Sequence, residues 1–275
     1  MAPPDHPPTI DGDVFVSPRY LAGSSGFGDP GFAPVAAWPH HHLDDGPCQL
    51  VVASPDHRIR IGWFGDDHDL WKITASEDAA SMPRWTATFN QNTPAEIVAG
   101  LTTALARDWA NDEDSFLARP SIYWPDSIQP LLTAGWTYRA AERGTVEIIA
   151  PDKQAGALID VRSRDPDDET TTLWAGPPGW GTRAEAHFTA RTPSHLIAAT
   201  AAALADPSPV PRYKQGLDPQ LADLAQLTPV RPPRPAAPTP LEVRRAAPSR
   251  PAALPTSSVP RWTTTSRPAL PGPRR

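Results

Sequence analysis

Residues 54–64 read Ser54-Pro55-Asp56-His57-Arg58-Ile59-Arg60-Ile61-Gly62-Trp63-Phe64, and this stretch decides the fold. Pro55 cannot donate to a strand ladder and Asp56 favours a turn, so the apolar run at residues 49–53 stops there. From His57 onward the chain alternates. Ile59, Ile61 and Trp63 fall on one face and Arg58 and Arg60 on the other, which is the period of a strand. Residues 65–69, Gly-Asp-Asp-His-Asp, read as a turn. Trp71, Ile73 and Ala75 alternate again, as do Trp85, Ala87 and Phe89. Four such strands predict an antiparallel meander. A helix follows, with Thr93 as N-cap, Pro94 at the first helical position and Glu96 closing a capping box. Ile97, Leu101 and Leu105 recur every four residues and predict a stripe that packs on the apolar sheet face. Trp63, Trp71, Trp85, Phe89, Ile97 and Leu101 are the predicted core.

The same landmarks return further along. Ala150-Pro151-Asp152 repeats the turn at an offset of 96, and Gln154-Ala155-Gly156-Ala157-Leu158-Ile159 follows it. Phe188 with Thr192-Pro193 repeats Phe89 with Thr93-Pro94 at an offset of 99, and Trp136 repeats Trp38 at an offset of 98. Four landmarks in one order read as an internal repeat. His195 stands where the first copy has Glu96, so the reciprocal half of the capping box is absent there. The second copy also carries Gly156 inside a strand and Gly176-Pro177-Pro178-Gly179 after another, so less burial per residue is expected of it.

Composition divides the chain. Of 37 prolines, 17 lie in residues 206–275. Residues 229–275 hold nine arginines and one acid, Glu242, a charge of +8; with −6 overall, residues 1–228 carry −14. A segment of that kind cannot bury enough apolar area to offset its ordering. Within the stretch 207–275, residues 219–227 predict a short helix, with Asp218 as cap and Leu at three-residue spacing. The fold class is therefore α+β: two tandem copies of a small antiparallel four-stranded sheet, each closed by one C-terminal helix, plus a disordered Pro/Arg-rich tail. The boundaries are 1–30 for an irregular arm, 31–110 for the first unit, 111–128 for a linker, 129–206 for the second unit and 207–275 for the tail.

The Pro-Asp turns at Pro55-Asp56 and Pro151-Asp152, the Trp85-Thr86-Ala87-Thr88-Phe89 strand, the Thr-Pro helix starts, and Leu173-Trp174-Ala175-Gly176 together resemble the SPDY domain family. Ser17-Pro18-Arg19-Tyr20-Leu21-Ala22-Gly23 is similar to that family's opening. The resemblance covers roughly residues 14–206. It implies an actinobacterial source and two copies of a domain of unknown function, and it carries no activity over. His57 and Lys153 stand where the family signature has Tyr.

Candidate chemistry is sparse. His40-His41-His42 with Asp44 and Asp45 reads as a solvated loop, because consecutive residues do not converge on one ion. Asp66-Asp67-His68-Asp69 lacks the alternating ligands of a calcium loop. Asp56-His57 could pair as a general base, yet Lys153 replaces the histidine in the second copy, so Pro55, Asp56, Pro151 and Asp152 are read as turn residues. Cys48 is the single cysteine and has no assignable His partner. Strand alternation puts Arg58, Arg60, Lys72 and Arg84 on the side away from the helix, a candidate anion- or partner-binding face. No cofactor and no metal are expected. No stretch approaches a membrane span, and a cytoplasmic location is expected. The leading reading is a non-enzymatic binding or scaffold protein with a bilobed repeat body and a protein partner. Two others stay open: a nucleic-acid-associated protein using the Arg-rich tail, and an enzyme with a site between the repeats.

The tail readings separate in one measurement. If the arginines bind polyanions, deleting residues 229–275 abolishes DNA affinity at low ionic strength, where phosphate contacts are strongest. Unchanged affinity on deletion, or none in the full chain, leaves base composition as the origin of the arginines.

Overall fold

The computed structural model describes residues 12–24, 29–43, 49–65, 68–111, 114–140, 144–163, 165–179 and 181–230. Cys48, Asp44, Asp45, Asp66, Asp67 and the segment 231–275 lie outside the described residues. In the first half, the short helix α1 (Asp29–Phe32) leads to five strands: β2 (His40–Leu43), β3 (Gln49–Ala53), β4 (Ile59–Phe64), β5 (Trp71–Ala75) and β6 (Trp85–Phe89). Helix α2 (Ala95–Ala110) follows. The second half repeats that order: α3 (Pro125–Thr133), then β7 (Thr137–Ala140), β8 (Thr145–Ile149), β9 (Ala155–Asp160), β10 (Glu169–Ala175) and β11 (Ala184–Thr189), then α4 (Ser194–Ala205).

The expectation of two four-stranded sheets in a bilobed body needs correction. The ten strands form one antiparallel sheet, ordered β2-β3-β4-β5-β6-β11-β10-β9-β8-β7. Each half contributes five strands, and β6 pairs directly with β11: Ala87 opposite Phe188, Thr88 opposite His187, Phe89 opposite Ala186. Pairing covers two edges that would otherwise present unbonded N–H and C=O groups. The fifth strand of each half was not visible by alternation. Every residue of β2 is exposed, so His40, His41 and His42 lie in a solvent-facing edge strand and not in a loop.

One face of the sheet is covered by helices. Trp71, Trp85, Phe89, Ile97 and Leu101 are at most 2% exposed, while Trp63 is only partly buried and packs at the core's margin. Among the described residues four helices lie on this face where one per unit was expected, with α1 packed on α2 and α3 on α4. Helices α2 and α4 cross at Gly100. A Cβ there would sit 2.6 Å from the Ala203 Cβ and 2.8 Å from the Ala199 carbonyl oxygen, so only glycine permits the approach. The capping box does not form. The Thr93 hydroxyl bonds Asn90 Oδ1 and the Glu185 carbonyl instead, across the joint between halves.

Glu96 is used differently as well. It takes two hydrogen bonds from the Arg212 guanidinium, at 2.7 and 2.6 Å, and Arg212 is 7% exposed. Arg212 belongs to a second sheet, ordered β12-β1-β13, made of β1 (Asp13–Ser17), β12 (Val210–Tyr213) and β13 (Gln226–Pro229). The 1–30 arm therefore contains a strand. Residues 207–230, assigned to a disordered tail, are folded onto it. Val14, Val16, Ala22, Val210 and Leu217 make a small apolar cluster that offsets the ordering of this Pro-rich segment. The predicted helix at 219–227 ends earlier, as α5 (Pro219–Leu224), with Asp218 accepting from the Gln220 N–H; residues 226–229 continue as β13. Among the described residues no helix is long and apolar enough to cross a membrane.

Two outcomes follow. Trp85→Ala empties a site whose indole N–H also bonds the Phe116 carbonyl at 2.7 Å, and should cost about 3–5 kcal/mol in a denaturant melt. The Glu96–Arg212 pair should make stability acid-sensitive. Burial pushes the Glu96 carboxyl up, but the hydrogen bonds and charge of Arg212 outweigh it and hold it below its usual range. A carboxyl held low when folded contributes fully above its unfolded value of about 4.3 and loses that contribution as pH falls through the folded value. Melts between neutral and acid pH should show this loss, and Glu96→Gln should flatten it.

Candidate functional site

The four basic residues singled out from the sequence do not form one open face. Arg60 Nη2 donates to the Ala79 carbonyl at 2.6 Å, Arg84 Nη1 donates to Glu77 Oε1 at 3.0 Å, and Lys72 is exposed on β5. Arg58 leaves that side altogether. Its Nη1 donates to Asp114 Oδ1 at 2.7 Å, and its guanidinium lies 4.9 Å from the Phe116 ring centroid. Phe116 is on the helix-covered side, where its carbonyl receives the Trp85 indole N–H. Arg58 also holds the Asp114 carboxyl below its usual range, first through that hydrogen bond.

Pro55-Asp56 and Pro151-Asp152 occupy matching turns, between β3 and β4 and between β8 and β9. Asp56 Oδ1 accepts the Arg58 N–H at 3.2 Å and Asp152 Oδ1 accepts the Gln154 N–H at 2.9 Å. In each turn the residue after the aspartate is left-handed, His57 at φ 60° and Lys153 at φ 63°. Asp152 does more than turn the chain. Its Oδ2 accepts the Tyr20 hydroxyl at 2.6 Å, and burial together with that contact pushes the Tyr20 phenol well above its usual range. His57 lies with its ring centroid 6.1 Å from that of His41. Among the described residues, no three His, Cys, Asp or Glu side chains are placed to hold a metal ion.

The open face of the second half carries a groove of about 760 Å³. Its floor is Ile149 on β8, Leu158 on β9 and Trp174 on β10; around it stand Arg139, Lys153, Arg183, Glu147 and Glu185. A groove of this volume falls within the range of small-molecule sites. Strand register explains how the floor forms. Trp174 lies opposite Gly156, and a Cβ on Gly156 would come within 2.5 Å of the indole and 2.7 Å of the Ile148 carbonyl. The missing side chain is what lets the indole lie down on the sheet. The Arg183 guanidinium then covers the indole's other face, 4.3 Å from its centroid. The backbone of Arg183 is fixed from the first half, where the buried Asn90 donates Nδ2–H to the Arg183 carbonyl at 2.7 Å and Asn92 adds a second contact at 3.3 Å.

The corresponding positions in the first half carry different residues. Across the strands, Ile59, Ala75 and Trp85 are register neighbours as Ala155, Ala175 and Ala184 are. By that correspondence Arg60 matches Gly156, Thr74 matches Trp174 and Arg84 matches Arg183. At the position of Gly156 the first half carries Arg60, whose guanidinium donates to the Ala79 carbonyl, and Arg84 is spent on Glu77. One other feature escaped the sequence reading. His195, seen there only as a lost cap, places Nε2 2.6 Å from Oδ2 of the buried Asp108, tying the first turn of α4 to the last turn of α2.

Two segments of the chain, residues 53–109 and 149–210, match the model of one protein family, SPDY, a domain of unknown function (DUF317). Each segment covers the three strands after a Pro-Asp turn and the helix that follows; the second includes Gly156, Leu158, Trp174 and Arg183. No curated protein and no solved structure matches the chain.

Because Gly156 carries the groove floor, Gly156→Ala should destabilise the fold by about 1–3 kcal/mol, the range for overpacking a close contact. A denaturant midpoint unchanged from wild type would show that Trp174 does not rest on this position.

Proposed function

We propose that this protein, with its two SPDY segments, is a non-enzymatic binding protein whose ligand site is the open-face groove of the second segment. The two segments are read as divergent copies of one unit. The first acts as the support, and the second has acquired the site by exchanging Arg60 and Thr74 for Gly156 and Trp174. The observation that carries this reading is the groove itself: a partly apolar floor of Ile149, Leu158 and Trp174 under convergent charged groups, on a sheet face that no helix covers among the described residues. Pockets that combine an apolar lining with a few placed polar groups are the usual form of ligand sites.

The alternative of an enzyme with its site between the copies has less support on the helix side. There Phe89 and Phe188 meet edge to face at 5.9 Å, and Gly100 lies against Ala199 and Ala203, so the seam is filled.

The test is a thermal-shift screen of small molecules against wild type and Leu158→Asp. Leu158 is 39% exposed, so the variant should keep its fold. A ligand at about one hundred times its Kd stabilises by about 2.7 kcal/mol. Ligands that raise the wild-type midpoint are expected to leave Leu158→Asp unmoved; ligands that shift both alike place binding elsewhere.

A further inference from the structure

Resting on the groove as the binding site, we infer that its ligand is a small amphipathic anion, a carboxylate or phosphate ester attached to an apolar body. Three cations face the groove: Arg139 from the edge strand β7, Lys153 from the Pro-Asp turn and Arg183 from the segment leading into β11. None has a side-chain hydrogen bond or ion pair among the described residues, although Glu147 and Glu185 stand in the same groove. Glu185 lies instead 3.7 Å from His187.

Arg183 is the informative one. Its counterpart Arg84 has Glu77 at 3.0 Å, whereas Arg183 is held on an indole with its Nε buried and without an acceptor. A guanidinium that is partly desolvated and left unpaired is costly. Its two terminal nitrogens form a planar fork that suits a carboxylate or phosphate. Fixing such a group in place, by Asn90 through the backbone and by Trp174 through the ring, is a preorganised anion contact. The left-handed turn residue Lys153 and the strand residue Arg139 flank it. Beside these cations, Leu158, Ile149 and the indole edge offer apolar contact to the rest of the molecule. A free inorganic anion would leave that floor uncovered, and a neutral apolar molecule would leave the three cations unpaired.

The experiment is calorimetric titration at low ionic strength with 2-naphthoate, its uncharged analogue 2-naphthamide and inorganic phosphate, against wild type, Arg183→Gln, Arg139→Gln and Leu158→Asp. In wild type the naphthoate should bind at least about tenfold more tightly than the amide or phosphate, the factor expected of one charge-assisted hydrogen bond. Arg183→Gln should lower naphthoate affinity most, to within a few-fold of the amide; Arg139→Gln, at an exposed strand position, should lower it less; Leu158→Asp should weaken naphthoate and amide alike. Equal affinity for naphthoate and amide in wild type overturns the anion assignment and leaves the groove standing. Binding that Leu158→Asp does not alter, or no binding of any probe to wild type, overturns the groove as well.

Discussion

The pairing of β6 with β11 is the constraint on which the rest depends. Its register sets Thr88 against its own counterpart His187, and Ala87 and Phe89 against each other's counterparts, Phe188 and Ala186. The chain meets itself as a symmetric dimer would, through one surface used twice. Beneath the strands, Phe89 and Phe188 touch at the seam, and α2 and α4 close over them at Gly100. Polar groups copy the arrangement: Asn90 Oδ1 accepts the Glu185 N–H at 3.1 Å, and Thr189 Oγ1 accepts the Thr86 N–H at 3.0 Å. An open five-stranded unit would expose one of these strands as an edge. Joined, the two bury it, and the same contacts aim Arg183.

Symmetry at the seam makes the departures from it informative. Where α2 and α4 begin, Glu96 and His195 hold matching positions. Glu96 reaches outward to Arg212 and clasps the second sheet; His195 reaches across to Asp108 and binds the two helices. On the open face, Arg60 and Gly156 match, and an arginine stands where the other half makes room for the Trp174 indole. A duplicated unit is free to keep one copy as support while the other changes. The differences reach the core too, where Ile59 and Trp85 of the first half match Ala155 and Ala184 of the second.

Much of this was legible because burial writes alternation into a strand. Ile59, Ile61, Trp71, Ile73, Trp85, Ala87 and Phe89 announced both their strands and their common face. The union of two sheets was not legible, because a strand buried on one face has the same alternation whether its edge is free or paired; nothing in Trp85-Thr86-Ala87-Thr88-Phe89 says that a partner lies beyond it. Strand β2 escaped because all its side chains face solvent. Residues 207–230 were misread because few apolar positions, Val210, Leu217 and Leu221 among them, are scattered among prolines, and their anchor is a buried Arg212–Glu96 pair between distant parts of the chain. The groove had one overlooked signal. Gly156 was taken as a weakness in its strand, when a glycine there marks the close approach of another group.

The second sheet has an unusual order in time. Strand β1 is its centre, with β12 on one side and β13 on the other. Val14 pairs with Arg212 and with Pro229, so both neighbours are made about two hundred residues later. At about 5–20 residues per second, a ribosome takes on the order of 10–40 s to deliver them. Both partners follow β11, which ends at Thr189, so all ten strands of the large sheet are made before β1 can pair. The clasp is therefore the last piece to close during synthesis. Until Arg212 arrives, Glu96 waits as an unpaired acid beside the first turn of its own helix.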